Sequence, residues 1–249
     1  MTEIDTKTEP SVVAEEIIET AESKADIELL KEMIGAGVMY GHTKTKTNPK
    51  FKPYIIANRN NVEIIDLAKT VSAIGLAAEF LKNLVKENKM ILLVGTQPSA
   101  SGAIENLAKK FNLPHVKNRW PGGLITNFKS ISGRLEYFKK VQADMALGEF
   151  DKHTKKERVV INKNIERMRK LFGGLENLTK LPDALLVVDT AIKGHLTAIK
   201  EARQLKIPIV SIIDSDDNPD FADYPIPAND HAKMSVDWVM NCLDKQINI

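Results

Sequence analysis

The segment VGTQPSASGAIENL (residues 94–107) sets Gly95, Thr96, Ser99 and Ser101 between an apolar run and a helical pattern. Many α/β proteins bind phosphate in this way, because free N–H groups and the helix dipole at a helix start favour an anion. Neither GxGxxG nor GxxxxGKS/T is present, and the better reading of the serines is that they cap the helix. Asp189 and Asp214 each close an apolar run, where α/β enzymes carry catalytic groups. Ser215, Asp216, Asp217 and Asp220 crowd the second of these. Their carboxylates are hard oxygen donors that suit a metal ion, or caps for helices and turns. Capping is the reading adopted, and no metal or other cofactor is assigned. The histidines, His42, His115, His153, His195 and His231, show no close ligand spacing, and no Ser–His–Asp or Cys–His arrangement follows from one sequence. A phosphosugar- or nucleotide-binding α/β enzyme, built on residues 96–101 with Asp189 and Asp214, is the alternative to a binding protein.

Basic clusters offer different chemistry. GHTKTKTNPKFKPYIIANRNN (residues 41–61) holds Lys44, Lys46, Lys50, Lys52 and Arg59 and no acid, with Phe51 and Tyr54 interleaved. Lysines neutralise phosphates, and aromatic faces stack on unpaired bases. A merely flexible basic loop is the alternative. HVKNRWPGG (residues 115–123) adds Lys117, Asn118, Arg119 and Trp120 ahead of two glycines. There Trp120 either faces RNA or is buried as an anchor, and both can hold. A third cluster, Lys152, Lys155, Lys156 and Arg158, puts four cations within seven positions. Its alternative is a solvated surface.

The elements that must carry these residues follow from hydrophobic period. Residues 91–94, 184–188 and 208–213 are short apolar runs alternating with helical patterns near 99–111, 195–205 and 230–247, which predicts a parallel sheet covered on both faces. A helix from Asp26 is expected to stop at Gly35 or Gly37, followed by a basic loop from His42 to Lys52. YIIA and VEIID, around Asn58–Asn61, read as a strand pair with a turn. Asp66 is the expected N-cap of a helix whose apolar face runs Leu67, Val71, Ile74, Ala78, Leu81 and Val85. Between 128 and 172 no strand pattern occurs. Phe128, Ile131, Leu135, Phe138 and Met145 keep heptad spacing, with Gln142 the polar member, and Ile161, Ile165, Met168 and Phe172 form a second seam. With Thr154 and Glu157 placed as a capping box, this predicts an inserted antiparallel helical hairpin whose arms reach about 27 Å. Residues 129–170 hold twelve Lys/Arg against six Asp/Glu. The expected organisation is therefore an acidic, disordered tail (1–24), a discontinuous α/β domain (25–127 and 173–249) and the hairpin (128–172).

Composition narrows the class. The 43% hydrophobic and 27% charged content is that of a globular protein, and no stretch approaches the roughly 18 apolar residues of a membrane span. With one cysteine, Cys242, neither an intramolecular disulfide nor a cysteine-built zinc site is possible, and a cytoplasmic setting is expected. Residues 1–30 carry nine acids against Lys7 and Lys24, so a net charge of +2 conceals a body at +9. A basic body suits a nucleic-acid partner without proving one.

Successive blocks carry a resemblance to a known family. AGVMYGHTKTKTNPKFKPYI (36–55), NVEIIDLAKT (61–70), ILLVGT (91–96), NRWPGGLITNF (118–128), DKHTKKE (151–157), LPDALLVVD (181–189), IKEA (199–202), IPIVSIID (207–214) and IPANDHA (226–232) occur in order. Together they resemble bacterial-type small-subunit ribosomal protein two, over about residues 26–245. The resemblance implies a flavodoxin-like five-stranded parallel sheet with an inserted α-helical coiled-coil hairpin and no enzymatic activity. It also implies binding to small-subunit rRNA near the head–body junction, contact with neighbouring small-subunit proteins, and help in docking the large mRNA-binding ribosomal protein one. Three departures stand out: Thr47 where the family often has an aromatic, Gln97-Pro98 where it often has two basic residues, and His195 where an acid is common.

Overall fold

Residues 24–152 and 154–248 are described by a computed structural model of the chain. The expected tail lies outside them, apart from Lys24. The apolar runs form β4 (Ile91–Val94), β6 (Ala184–Val188) and β7 (Ile209–Ile213), every residue of which is buried. With β5 (His115–Val116) and β8 (Tyr224–Pro227) they make one parallel sheet of order β5-β4-β6-β7-β8. The flavodoxin-like order is thus present. Because side chains alternate across a strand, each run feeds two cores. Ile91, Leu93, Leu186, Val188, Val210 and Ile212 meet one face, covered by α1 (Lys24–Gly35), α2 (Leu67–Lys86), α3 (Pro98–Phe111) and α7 (Lys233–Ile247). Leu92, Val94, Leu185, Val187 and Ile209 meet the other, covered by α6 (Lys193–Gln204), the loop around Trp120 and the hairpin base. Ser211, the polar member of β7, donates to the Val187 carbonyl at 3.0 Å and so is satisfied inside the sheet.

The hairpin consists of α4 (Phe128–Ala146) and α5 (Lys155–Phe172). Ile131, Leu135 and Phe138 share a core with Phe172, the Phe138 and Phe172 rings lying 6.3 Å apart, and Ile165 of the second arm is buried as well. The expected seam ends early. Met145 is 43% exposed, and Val141, outside the expected spacing, is buried instead. Thr154 caps α5 as expected: its hydroxyl accepts from the Glu157 N–H at 3.4 Å, and its own N–H donates to the Glu157 carboxylate at 2.9 Å.

Ahead of the sheet lies an antiparallel unit, β1 (Tyr40–Thr43), β2 (Ile55–Arg59) and β3 (Val62–Ile65), in the order β1-β3-β2. The β2–β3 turn is Asn60-Asn61, both at positive φ (47° and 63°), the twist a two-residue hairpin requires. Here the expectation of a plain basic loop from His42 to Lys52 is corrected. Its start is β1, and Pro49–Tyr54 is a 3-10 helix in which the Asn48 side chain accepts from the Lys50 N–H. YGHT has no alternation of apolar residues, so its strand is set by pairing with β3 and not by its own pattern. Asp66 caps α2, accepting from the Ala68 N–H at 3.1 Å.

Candidate nucleic-acid interface

β4 and β6 are neighbours whose following helices leave to opposite faces, and the carboxyl edge of the sheet at that switch point gathers the acids. Most of these acids serve the protein's own backbone. Asp189, at φ 68°, accepts from the Ala191 N–H at 2.7 Å and from the Gln97 side chain. Asp217 accepts from the Thr190 N–H (3.0 Å), the Thr190 hydroxyl (2.6 Å) and the Asp214 N–H (3.1 Å). Burial, reinforced by the nearby Asp189 and Asp216 charges, pushes the Asp217 carboxyl up to about 7. Burial likewise raises Asp189 and, well above the usual carboxylate range, Asp230. His195 is buried with Nδ1 2.6 Å from the Asp189 carbonyl and Nε2 accepting from the Thr96 N–H at 3.1 Å. Those partners define a neutral imidazole, and burial lowers its pKa accordingly.

The chain also brings together what the sequence keeps apart. His42 and His231 meet edge to face at 4.7 Å, and His42 Nδ1 lies 3.0 Å from Asp214 and 3.3 Å from Asp216. The hydrogen bond and charge of Asp214 raise the His42 pKa. Ligand atoms of His42, Asp214 and His231, and of Asp189, Asp230 and His231, lie within 4.8 Å of one another in each set. Such mixed nitrogen and oxygen donors are of the kind that hold a divalent cation. Spacing along the chain gives no sign of them, since His42 and His231 come from opposite ends.

The phosphate-loop alternative does not survive. The Thr96 N–H is taken by His195, and the Ser99 hydroxyl by the Gln97 side chain and the Asp230 carbonyl at 3.1 Å. Gly95 is required by packing: a Cβ there would collide with Ile104 Cδ1. Nor do the serines cap α3. The N-cap position is Gln97, which makes no side-chain cap bond, and Pro98 fills the first turn, where its missing N–H is harmless.

The expected cations, in contrast, mostly point outward. Lys44 and Lys46 lie in the turn after β1, and Lys50 and Lys52 on the 3-10 helix, all four exposed. That segment is held against the loop after β7 by the Asn48 N–H bond to the Ser215 carbonyl (2.7 Å) and the His42 N–H bond to the Ser215 hydroxyl (2.7 Å). Lys50 pairs with Asp220, whereas Lys44, Lys46 and Lys52 pair with no acid among the described residues. Arg59 is half-buried at the end of β2, and Arg119 is exposed. Lys117 pairs with Glu105 at 2.9 Å, and the Asn118 side chain donates to the Lys170 carbonyl at 2.9 Å. On the hairpin, Lys152 pairs with Glu149 at 3.2 Å, and Lys155, Lys156 and Arg158 are exposed in the first turn of α5.

The aromatic expectation is corrected. Phe51 is fully buried against Ile65 and Ile213, and Trp120 is 4% exposed, so neither ring is open for stacking on a base. Tyr54 is half-buried, with its ring centroid 5.3 Å from that of Phe51. Trp120 Nε1 donates to Glu201 at 3.1 Å, the buried anchor that was the alternative reading. The Glu201 carboxylate also accepts from the N–H groups of Gly123 (2.9 Å), Ile125 (3.0 Å) and Thr126 (3.4 Å). One buried side chain on α6 thus fixes the loop that carries Lys117 and Arg119, a role no sequence pattern announced.

Fold and surface together define a doubly wound α/β body with an inserted helical hairpin, whose buried edge polar groups largely bond to one another and whose loops present cations. Residues 33–248 match the family "Ribosomal protein S2". The chain is 40% identical over 223 residues to the small ribosomal subunit protein uS2 of Buchnera aphidicola subsp. Cinara cedri, covering 90% of this chain and 92% of that one. It is 42% identical over 203 residues to the uS2 of Petrotoga mobilis (82% and 70%), and 39% over 212 residues to that of Thermus thermophilus (85% and 82%). The chain belongs to the ribosomal protein S2 family, whose role in the small subunit is structural and not enzymatic.

Proposed function

We propose that the chain binds small-subunit rRNA near the head–body junction of the cytoplasmic ribosome and helps dock the large mRNA-binding ribosomal protein one. The RNA-facing residues are Lys44, Lys46, Lys50, Lys52, Arg59, Lys117, Asn118 and Arg119 on the body, and Lys152, Lys155, Lys156 and Arg158 on the hairpin. Half-buried Tyr54 belongs to the same RNA-facing set, while Phe51 and Trp120 shape these loops from beneath. The observation that carries the reading is the start of α5. Lys155, Lys156 and Arg158 occupy its first turn, the positive end of the helix dipole, where cations are disfavoured and acids preferred. Lys155 and Lys156 gain nothing from that gradient, in which only Glu157 of this turn is placed favourably, and an external polyanion would account for them. Phosphate contacts of this kind fix register without reading base sequence, as a structural rRNA binder requires.

The test replaces Lys152, Lys155, Lys156 and Arg158 together by Ala and follows co-sedimentation with the small subunit. Association should weaken while the far-ultraviolet dichroism of the free protein is unchanged. Undiminished co-sedimentation would refute the hairpin assignment.

A further inference from the structure

At the outer edge of the sheet, β5, the flank of α3 and the last turn of α5 enclose a cleft of about 320 Å³. Lys109, Lys117, Arg169 and Lys170 line it, with Glu105 the one acid among its lining residues. Glu105 takes Lys117 at 2.9 Å and Lys109 at 3.1 Å, and these two ammoniums hold its carboxyl down at about 2. The cations come from two parts of the chain. Lys109 and Lys117 belong to the α/β body, and Arg169 and Lys170 to the hairpin base, tied together by the Asn118 bond to the Lys170 carbonyl. His115 stands half-buried in the wall, its pKa lowered by burial and by Lys117, so it adds a neutral hydrogen-bonding edge.

We propose that this cleft seats the phosphodiester backbone of an RNA strand, which displaces Glu105 from its two lysines. The inference rests on the rRNA-binding reading above and adds a site to it. Exposed ion pairs contribute little to folding, so the Glu105 pairing is a weak staple. Its effect is to hold two ammoniums close together and ready for a stronger anion. A phosphate bears a full charge on each residue of the strand, and the planar Arg169 guanidinium suits its paired oxygens. Among the described residues Arg169 pairs with Glu166 alone, at 3.3 Å on its own helix, and Lys170 with no acid. A strand lying in the cleft would bridge body and hairpin and fix the angle between them.

Displacement predicts a gain of binding on removing an acid next to the site. Glu105→Gln should bind a transcript of small-subunit rRNA about threefold to tenfold more tightly at 0.1 M salt, with a plot of log affinity against log salt steeper by about 0.7–0.9. The triple variant Lys109→Gln, Arg169→Gln, Lys170→Gln should bind more weakly, with that slope shallower by about 2. Both changes are required. Unchanged or weaker binding by Glu105→Gln, or an unchanged slope in the triple variant, overturns the proposal. A parallel variant with Lys44, Lys46 and Lys52 changed to Gln separates the two levels of the argument. If it alone loses slope, the cleft is not a phosphate site and the rRNA reading stands; if no variant loses slope, both fall. An unchanged RNA slope combined with poorer incorporation into subunits would assign the cleft to a protein neighbour and sink the proposal.

Discussion

Removing the Glu201 carboxylate should loosen the loop between β5 and the hairpin more than any surface change. Glu201→Ala leaves Trp120 Nε1 and the N–H groups of Gly123, Ile125 and Thr126 without their acceptor, two of them in a fully buried setting. A buried donor left unsatisfied costs about 1–3 kcal/mol. Water reaching the partly exposed Gly123 and Thr126 recovers part of this, which leaves a net loss of about 3–5 kcal/mol. For a domain of this size 1 kcal/mol corresponds to about 2–4 °C, so the unfolding midpoint should fall by roughly 10 °C. Glu201→Gln keeps one acceptor oxygen but turns an amide N–H toward N–H donors, and should recover less than half of the loss. Thermal unfolding followed by dichroism gives the stability. Indole fluorescence, measured in a Trp238→Phe background so that only Trp120 reports, gives the loop. A Glu201→Ala midpoint within about 2 °C of the parent, with unshifted Trp120 emission, would refute the idea that this carboxylate organises the loop.

Gly95→Ala drives a methyl into Ile104 Cδ1, and overpacking of this kind should cost about 1–3 kcal/mol. The companion change Ile104→Val, which removes that methyl, should restore most of it in denaturant titrations. The acids at the sheet edge predict a pH dependence as well. Asp217 binds a proton at about 7 when folded but near 3.8 when unfolded, so the folded state takes up that proton first and gains stability as pH falls through about 7 and on toward about 4. Asp217→Asn should flatten that part of the stability curve, and equal slopes in the two proteins would refute the assignment. Below 6.5 the buried neutral His195 opposes the trend, because its folded pKa is lowered and the unfolded chain protonates first.

The sheet and hairpin were legible because their patterns are local. Runs such as ILLV and ALLVV are too short and too uniformly apolar for surface helices, and the 131/135/138 spacing marks one helical face. Strand β1 was not legible, since YGHT owes its conformation to pairing with β3. Ring orientation was not legible either. A lysine-rich run with an aromatic in the middle reads the same whether the ring faces out or, like Phe51, packs under a 3-10 turn whose lysines face solvent. Clusters of basic residues are visible in the sequence because charge patterning needs no tertiary information. The grouping of His42, Asp214 and His231 was missed because only topology brings them into contact. Glu201 was missed for a related reason, as four donors 75 to 81 positions away give no signal in its own helix.

Burial along the hairpin is uneven, and this bears on how the arm matures. Its base shares Ile131, Leu135, Phe138 and Phe172 with the core under β4 and β6, whereas toward the turn Met145 is 43% and Leu147 78% exposed. Local opening free energy follows buried apolar contact, so protection against amide exchange should fall along each arm from root to tip. The root is then committed as soon as the body folds. The outer turns keep a shallower energy surface, so any contact made at the tip would stiffen the arm far more than one made at its root.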